Sequence, residues 1–116
     1  MVIGASPNPD RVSYEALRKL RKLNIPYIAI GKKNYDAGDI KIIKGVPDNI
    51  QKVNTVALYL NKKNQVEYYN YILSLKPERI IFNPGTHNPE LAKLARKNGI
   101  SVVEDCMLVM IATGRF

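Results

Sequence analysis

Short apolar runs alternate with helix-like segments along the whole chain, and this alternation constrains the fold more than any other feature. Strand-like runs lie at residues 2–4, 27–30, 55–60, 79–82 and 100–103, and a further short extended piece is expected at 40–43. Nearly continuous apolar strands that alternate with helices are typical of a parallel sheet covered on both faces. The sequence therefore predicts an α/β fold.

Four helices are expected between these runs. The first, at residues 12–23, places Leu17, Leu20 and Leu23 at three-residue steps. Asn61 resembles the N-cap of the second, whose buried side is predicted to carry Val66, Tyr69, Ile72 and Leu73. Asn88-Pro89 opens the third with a capping residue and a proline at its first position, and its buried side carries Leu91, Leu94 and Ala95. The last occupies residues 107–112.

Right-handed crossovers between these strands give a Rossmann-like, doubly wound sheet of about five parallel strands in the order 3-2-1-4-5, with helices on both faces. A chain of 116 residues is large enough for one such domain and one core. Ligands of this architecture bind outside the carboxyl ends of the strands. Four turns are expected to meet there, at residues 4–8, 31–33, 59–61 and 83–85.

The turn after the first strand, Gly4-Ala5-Ser6, leads directly into the first helix. A strand, a turn of small residues and a helix N-terminus hold phosphate groups, because backbone N–H groups and the helix dipole point at the anion. Arg11 stands at the helix start, where a guanidinium can make paired hydrogen bonds to phosphate oxygens or remain a surface charge. The strand before this turn has only three residues, so either the true start lies upstream or a short central strand leaves backbone groups of its neighbours exposed.

The turn does not match the common nucleotide motifs. A dinucleotide fingerprint needs two further glycines, where this chain has Ser6 and Pro9, and a carboxylate after the second strand, where it has Gly31-Lys32-Lys33. NAD is therefore disfavoured, although the two lysines suit an additional phosphate on the ribose. A Walker-type loop is absent as well.

The bulk composition favours anionic partners. Lys and Arg number 18 against 10 Asp and Glu, which gives a formal net charge of +8, although most of these residues are expected on solvated helix faces. No apolar run is long enough to span a membrane, and the first residues do not resemble a secretory signal. The lone Cys106 suits a reducing compartment, and we expect a cytoplasmic protein.

Three segments together resemble the small stand-alone CoA-binding domain proteins, relatives of the CoA-binding domain of the succinyl-CoA synthetase alpha subunit. The N-terminal segment of those proteins is similar to residues 2–11 of this chain, Val-Ile-Gly-Ala-Ser-Pro-Asn-Pro-Asp-Arg, followed by Ser13-Tyr14. Asn83-Pro84-Gly85 with Asn88 and Glu90 matches its second turn, and residues 104–107 resemble its closing segment. The resemblance covers essentially the whole chain.

This resemblance implies a single Rossmann-like domain, residues 1–116, that binds coenzyme A or an acyl-CoA. Gly4, Ala5 and Ser6 would hold the pyrophosphate, with Asn8, Arg11 and Tyr14 beside it. Lys32 and Lys33, after Gly31, would lie near the adenosine 3′-phosphate. The rest of the ligand would be flanked by two turns, Tyr59-Leu60-Asn61 and Asn83-Pro84-Gly85. Ligase activity does not carry over, because the domain that bears the phosphorylated histidine is missing.

The residues capable of chemistry do not form a recognisable catalytic set. His87, the only histidine, is a possible base or phosphoacceptor, but a solvated loop position is favoured over these roles. Cys106 is expected to be a small, partly buried apolar residue, and a mixed disulfide with the CoA thiol is the alternative. Tyr69 is expected in the core, and Tyr68 and Tyr71 on the surface. No metal site is expected.

Three hypotheses follow from these observations. The favoured one is a CoA-binding module without catalysis. The alternatives are a small NADP- or nucleotide-dependent enzyme that uses the same cleft, and an RNA-binding protein, which is less favoured. A protein partner or a second copy of the chain could contact an exposed sheet edge or the tyrosine-bearing helix, and no membrane contact is expected.

Overall fold

A single sheet of seven strands forms the centre of the computed structural model, which describes residues 1–116. The strands are β1 (Val2–Ala5), β2 (Ala29–Gly31), β3 (Tyr35–Asp36), β4 (Lys41–Lys44), β5 (Thr55–Leu58), β6 (Arg79–Phe82) and β7 (Ser101–Glu104). Their order is β3-β4-β2-β1-β5-β6-β7, and only β3 is antiparallel to its neighbour. The predicted α/β class, a doubly wound and mostly parallel sheet, is confirmed.

The predicted number and order of strands need correction. We expected five parallel strands, with the strand at residues 55–60 outside the one at 27–30. In the structure β4 takes that outer position, and β5 lies beside β1 instead. The sequence signal of β4 is weak because its buried Ile42 is flanked by lysines at both ends of a four-residue strand. β3 has only two residues and lies in a polar stretch for which no strand was predicted.

Five α-helices connect and cover the strands: α1 (Val12–Lys22), α2 (Lys62–Gln65), α3 (Tyr69–Leu75), α4 (Pro89–Lys97) and α5 (Met107–Ala112). The helix predicted after Asn61 is divided, because a 3₁₀ turn at Val66–Tyr68 separates α2 from α3. The prediction that Val66 is buried is wrong: its side chain is 56% exposed, and Gln65 points inward in its place. No helix has both the length and the apolar character that a membrane crossing requires.

Alternate residues of each strand serve two separate cores, one on each face of the sheet. Val2 and Ala57 pack with α1 and α5, whereas Ile3 and Leu58 pack with α3 and α4. This burial on both faces explains why the strands are continuously apolar in sequence. β1 spans four residues, like β5 and β6, and the N–H groups of Ala57 and Tyr59 donate to the carbonyls of Met1 and Ile3. The β5 donors that face β1 are therefore bonded.

Candidate functional site

The carboxyl ends of β1 and β5 lie at the point where the sheet changes direction. From β1 the chain builds outward through β2 and β4, and it then returns to start β5 on the other side of β1. Crossovers on opposite faces leave a crevice at such a point, and this crevice is where ligands of open α/β sheets bind. The loops that follow β1, β2, β5, β6 and β7 surround it, so the four predicted turns do reach one edge of the sheet.

The loop after β1 is shaped by close packing and by short polar side chains. Gly4 has a φ of +95°, and a Cβ there would lie 2.9 Å from the Tyr59 carbonyl carbon and 2.8 Å from Leu60 Cδ2. Only glycine suits both the angle and the space. Beyond it, Ser6 Oγ accepts a hydrogen bond from the Asn8 N–H at 3.2 Å. Asn8 Oδ1 accepts from the Asp10 N–H at 3.0 Å, so the turn folds on its own side chains.

The backbone N–H groups at the start of α1 are not capped by a side chain. Its N-cap is Arg11, which is extended and makes no capping hydrogen bond through its side chain. The first-turn N–H groups of α1 therefore have no side-chain acceptor, in contrast to α4, which Asn88 caps. The Arg11 side chain is exposed and forms no ion pair. An anion at this helix start would meet backbone donors and a guanidinium together.

The loop after β2 is positively charged and closely apposed to the β1 loop. A Cβ on Gly31 would lie 2.3 Å from the Ala5 carbonyl oxygen, so only a glycine allows the two strand ends to approach this closely. Lys32 and Lys33 follow, both exposed and neither in an ion pair. Tyr14 of α1 lies near Tyr35 of β3, where burial and then the Tyr14 hydroxyl raise the pKa of Tyr35.

The loop after β5 contains the one buried side-chain polar atom of the protein that has no hydrogen-bond partner, the hydroxyl oxygen of Tyr59. Burial, and then the neighbouring Cys106, raise the pKa of this phenol, so it remains a neutral O–H donor at physiological pH. Leu60 packs against Gly4. Asn61 caps α2 as predicted, since its Oδ1 accepts from the Asn64 N–H at 3.0 Å.

Asn83, a predicted ligand contact, is buried, and both ends of its amide are already in use. Its Nδ2 donates to the Leu58 carbonyl at 3.0 Å, and its Oδ1 accepts from the Met107 N–H at 2.8 Å. The side chain thus joins β5 to the start of α5, and only the neighbouring Pro84 and Gly85 are exposed at this turn.

Sequence reasoning missed a buried polar cluster behind these loops. Gln65, which is fully buried, donates from Nε2 to the carbonyls of Leu60 at 2.9 Å and Thr86 at 2.8 Å. Asn88 donates to Gln65 Oε1 at 2.9 Å and to the Tyr69 hydroxyl at 2.8 Å. A glutamine in a run of polar residues gives no sequence signal for burial. The cluster fixes the β5 and β6 loops relative to each other.

The predicted roles of the tyrosines also change in part. Tyr69 is half-buried and accepts from Asn88, but Tyr68 and Tyr71 are half-buried too and pack against the same core. The Tyr71 hydroxyl donates to the Pro47 carbonyl at 2.9 Å. Tyr68 and Tyr71 are partly exposed, as expected for amphipathic surface positions, whereas Tyr69 is less buried than the core position predicted for it.

The groups with acid–base or nucleophilic character are paired or isolated. His87 Nδ1 contacts Glu104 Oε1, and both side chains are mostly exposed. Asp105 accepts from Arg115 Nη1 at 2.6 Å and from the Cys106 N–H at 2.7 Å, and these bonds lower its pKa, the Arg115 bond most strongly. Cys106 is half-buried with a free thiol. No three acidic, histidine or cysteine side chains cluster as metal ligands.

Comparisons with known proteins identify the family. The chain is 44% identical to an uncharacterized protein of known crystal structure, with a TM-score of 0.93, and the match covers 99% of this chain and 94% of that one. A hypothetical protein from Pyrococcus horikoshii shares the fold at 24% identity and a TM-score of 0.85, and the match covers 97% of this chain and 80% of that one. A protein from Thermus thermophilus shares it at 20% identity and a TM-score of 0.85, and the match covers 99% of this chain and 87% of that one.

No curated protein sequence matches the chain. The family described as "CoA binding domain", in contrast, matches residues 1–112 and so covers nearly all of it. The resemblance inferred from the three sequence segments is thereby confirmed, and the chain belongs to the CoA binding domain family.

Proposed function

We propose that this protein binds coenzyme A or an acyl-CoA in the crevice at the carboxyl ends of β1 and β5, and that it does so without catalysing a reaction. The observation that carries the proposal is the combination of an uncapped α1 N-terminus with unpaired cations at the same edge of the sheet. CoA carries a pyrophosphate and a separate 3′-phosphate, so it presents anionic groups at two places.

The pyrophosphate is assigned to Gly4, Ala5 and Ser6 and the start of α1. Gly4 allows the end of β1 to pack closely against Tyr59 and Leu60, which sets the path of the loop, and Arg11 supplies paired donors for phosphate oxygens. Asn8 and Tyr14 flank this position in the proposal. A helix N-terminus and a guanidinium each favour an anion, and their effects act in the same place.

The 3′-phosphate is assigned to Lys32 and Lys33, which follow the closely packed Gly31. The remaining contacts are assigned to Tyr59, Leu60 and Asn61 on one side and to the exposed Pro84 and Gly85 on the other. In this proposal Asn83 positions the β6 loop rather than touching the ligand, because its amide bonds to Leu58 and Met107.

The buried Tyr59 hydroxyl also supports a ligand at this edge, since an unsatisfied buried donor is unfavourable until an acceptor reaches it. An absence of catalysis is proposed because no nucleophile forms a hydrogen bond to the His87–Glu104 pair. Arg11, Lys32 and Lys33 are exposed cations without an ion pair, and such cations bind phosphate.

Calorimetric titration with CoA, dephospho-CoA, NADP and a short RNA tests the proposal. We expect CoA to bind more tightly than dephospho-CoA by about tenfold, because two exposed lysines contact the additional phosphate. In the Lys32→Ala/Lys33→Ala variant this preference should disappear. The matched control removes Arg96 and Lys97, which are exposed at the opposite edge, at the end of α4.

NADP is the second candidate, since the same lysines follow the second strand of a Rossmann-like sheet. If NADP binds more tightly than CoA, NADP becomes the proposed ligand of this crevice. Failure to bind CoA near millimolar concentration would defeat it, and RNA affinity that falls steeply with salt would favour the nucleic acid alternative.

A further inference from the structure

A second concave site lies at the opposite edge of the sheet, where the strands begin. It is a cavity of about 530 Å³ between α1 and α5, and ten of its fifteen lining residues are hydrophobic. Its apolar floor includes the partly exposed side chains of Ile25, Tyr27 and Phe116, whereas Leu20, Ala57 and Met107 also line it but are almost completely buried. A cavity of this volume is in the range that small-molecule sites occupy.

The mouth of the cavity is positively charged. Arg79 lies at the start of β6, half-buried, and its Nε donates to Thr55 Oγ1 at 2.8 Å. The guanidinium stacks on the Phe116 ring, 5.1 Å from its centroid, which holds it in place. The other guanidinium nitrogens make no hydrogen bond within the protein.

The cations of this mouth form no ion pair. Neither Arg79 nor Lys52, which also lines the cavity, takes part in an ion pair. The Glu78 carboxylate lies beside the mouth, since it accepts a hydrogen bond from the lining residue Asn54, but it forms no ion pair with Arg79 or Lys52. A half-buried guanidinium without a carboxylate partner favours an anionic ligand, and the apolar floor favours a hydrocarbon chain.

We propose that this cavity binds an amphipathic carboxylate, a saturated chain on the order of ten carbons whose carboxylate pairs with Arg79. The chain lies on Ile25, Tyr27 and Phe116, and the carboxylate remains at the mouth beside Arg79 and Lys52. Because the cavity is at the opposite edge from the β1 and β5 carboxyl ends, the site is separate from the proposed CoA crevice and does not depend on it.

Calorimetric titration of the unaltered protein with butyrate, hexanoate, octanoate and decanoate is the first test. Affinity should rise about threefold with each added methylene group, since each one is removed from water. Decyltrimethylammonium has a ten-carbon chain with the opposite charge and should bind at least tenfold more weakly than decanoate. No binding of decanoate, no dependence on chain length, or equal binding of the cation would each overturn the proposal.

Arg79→Gln tests the charged mouth directly. We expect decanoate to bind about tenfold more weakly, and CoA titration to be unchanged because that crevice is elsewhere. Arg96→Gln is the matched control, since Arg96 is exposed and does not line the cavity. Equal decanoate affinity in Arg79→Gln and the unaltered protein would overturn the assignment to Arg79. If the variant does not fold, the chain-length and charge comparisons on the unaltered protein still decide the proposal.

Discussion

Replacing Asn83 with alanine removes both hydrogen bonds that join β5 to α5. The side chain is 3% exposed, so water cannot readily take its place beside the Leu58 carbonyl and the Met107 N–H. A buried polar group left without a partner costs about 1–3 kcal/mol. Two such groups, with partial relaxation of the loop, should lower the free energy of unfolding of Asn83→Ala by about 2–4 kcal/mol.

Urea denaturation followed by circular dichroism measures this loss. Asn98→Ala is the matched control: its Nδ2 donates to the Leu94 carbonyl at 2.8 Å, but the residue is exposed, so we expect a change within about 0.5 kcal/mol. A loss below about 0.5 kcal/mol in Asn83→Ala as well would refute the reasoning that this amide joins the two elements.

The isosteric variant Asn83→Asp adds a pH signature. Its carboxyl keeps an acceptor for the Met107 N–H but turns an oxygen toward the Leu58 carbonyl, so burial and repulsion should raise its folded pKa above the ordinary value of about 3.9. A raised folded pKa means that the folded state binds the proton more tightly than the unfolded state. The stability deficit relative to the unaltered protein should therefore shrink as pH falls from 7 toward 4. A deficit that stays constant with pH would contradict this assignment.

Two further predictions concern the same edge of the sheet. Gly31→Ala places a Cβ 2.3 Å from the Ala5 oxygen and should lower the free energy of unfolding, measured by urea denaturation, by about 3 kcal/mol. The control Gly38→Ala, in open space at a φ of +76°, should lower it by only about 1 kcal/mol. Equal losses in the two variants would contradict the close packing of β1 and β2. The lowered pKa of Asp105 adds stability that is present above its unfolded pKa and is lost as pH falls through the folded value. In Arg115→Gln, an NMR titration should show that pKa closer to its ordinary value, and an unchanged pKa would argue against the Arg115 bond as its main cause.

The sequence was sufficient for the fold class and for the turns at the carboxyl edge, because both follow from local patterns. The run that ends at Gly4 and the Asn88-Pro89 start of α4 are features of neighbouring residues. β4 was predicted only as a short extended piece, outside the five-strand order, because Ile42 alone faces the core between lysines. Gln65 could not have been predicted, since its burial depends on the carbonyls of Leu60 and Thr86, which the chain brings together only in the folded state.

The state of pairing at this edge explains why binding is a better proposal than catalysis. Asp105 bonds to Arg115 and His87 contacts Glu104, whereas the free thiol of Cys106 forms no hydrogen bond to a base. The buried amide of Asn83 also has its hydrogen-bond partners within the protein, the Leu58 carbonyl and the Met107 N–H. The groups at this edge that an anion can satisfy are one neutral donor, the Tyr59 hydroxyl, and the exposed cations Arg11, Lys32 and Lys33. Donors and cations without acceptors stabilise an anion that arrives from solution, and a ligand with phosphates at two positions satisfies more of them at once than a single phosphate would.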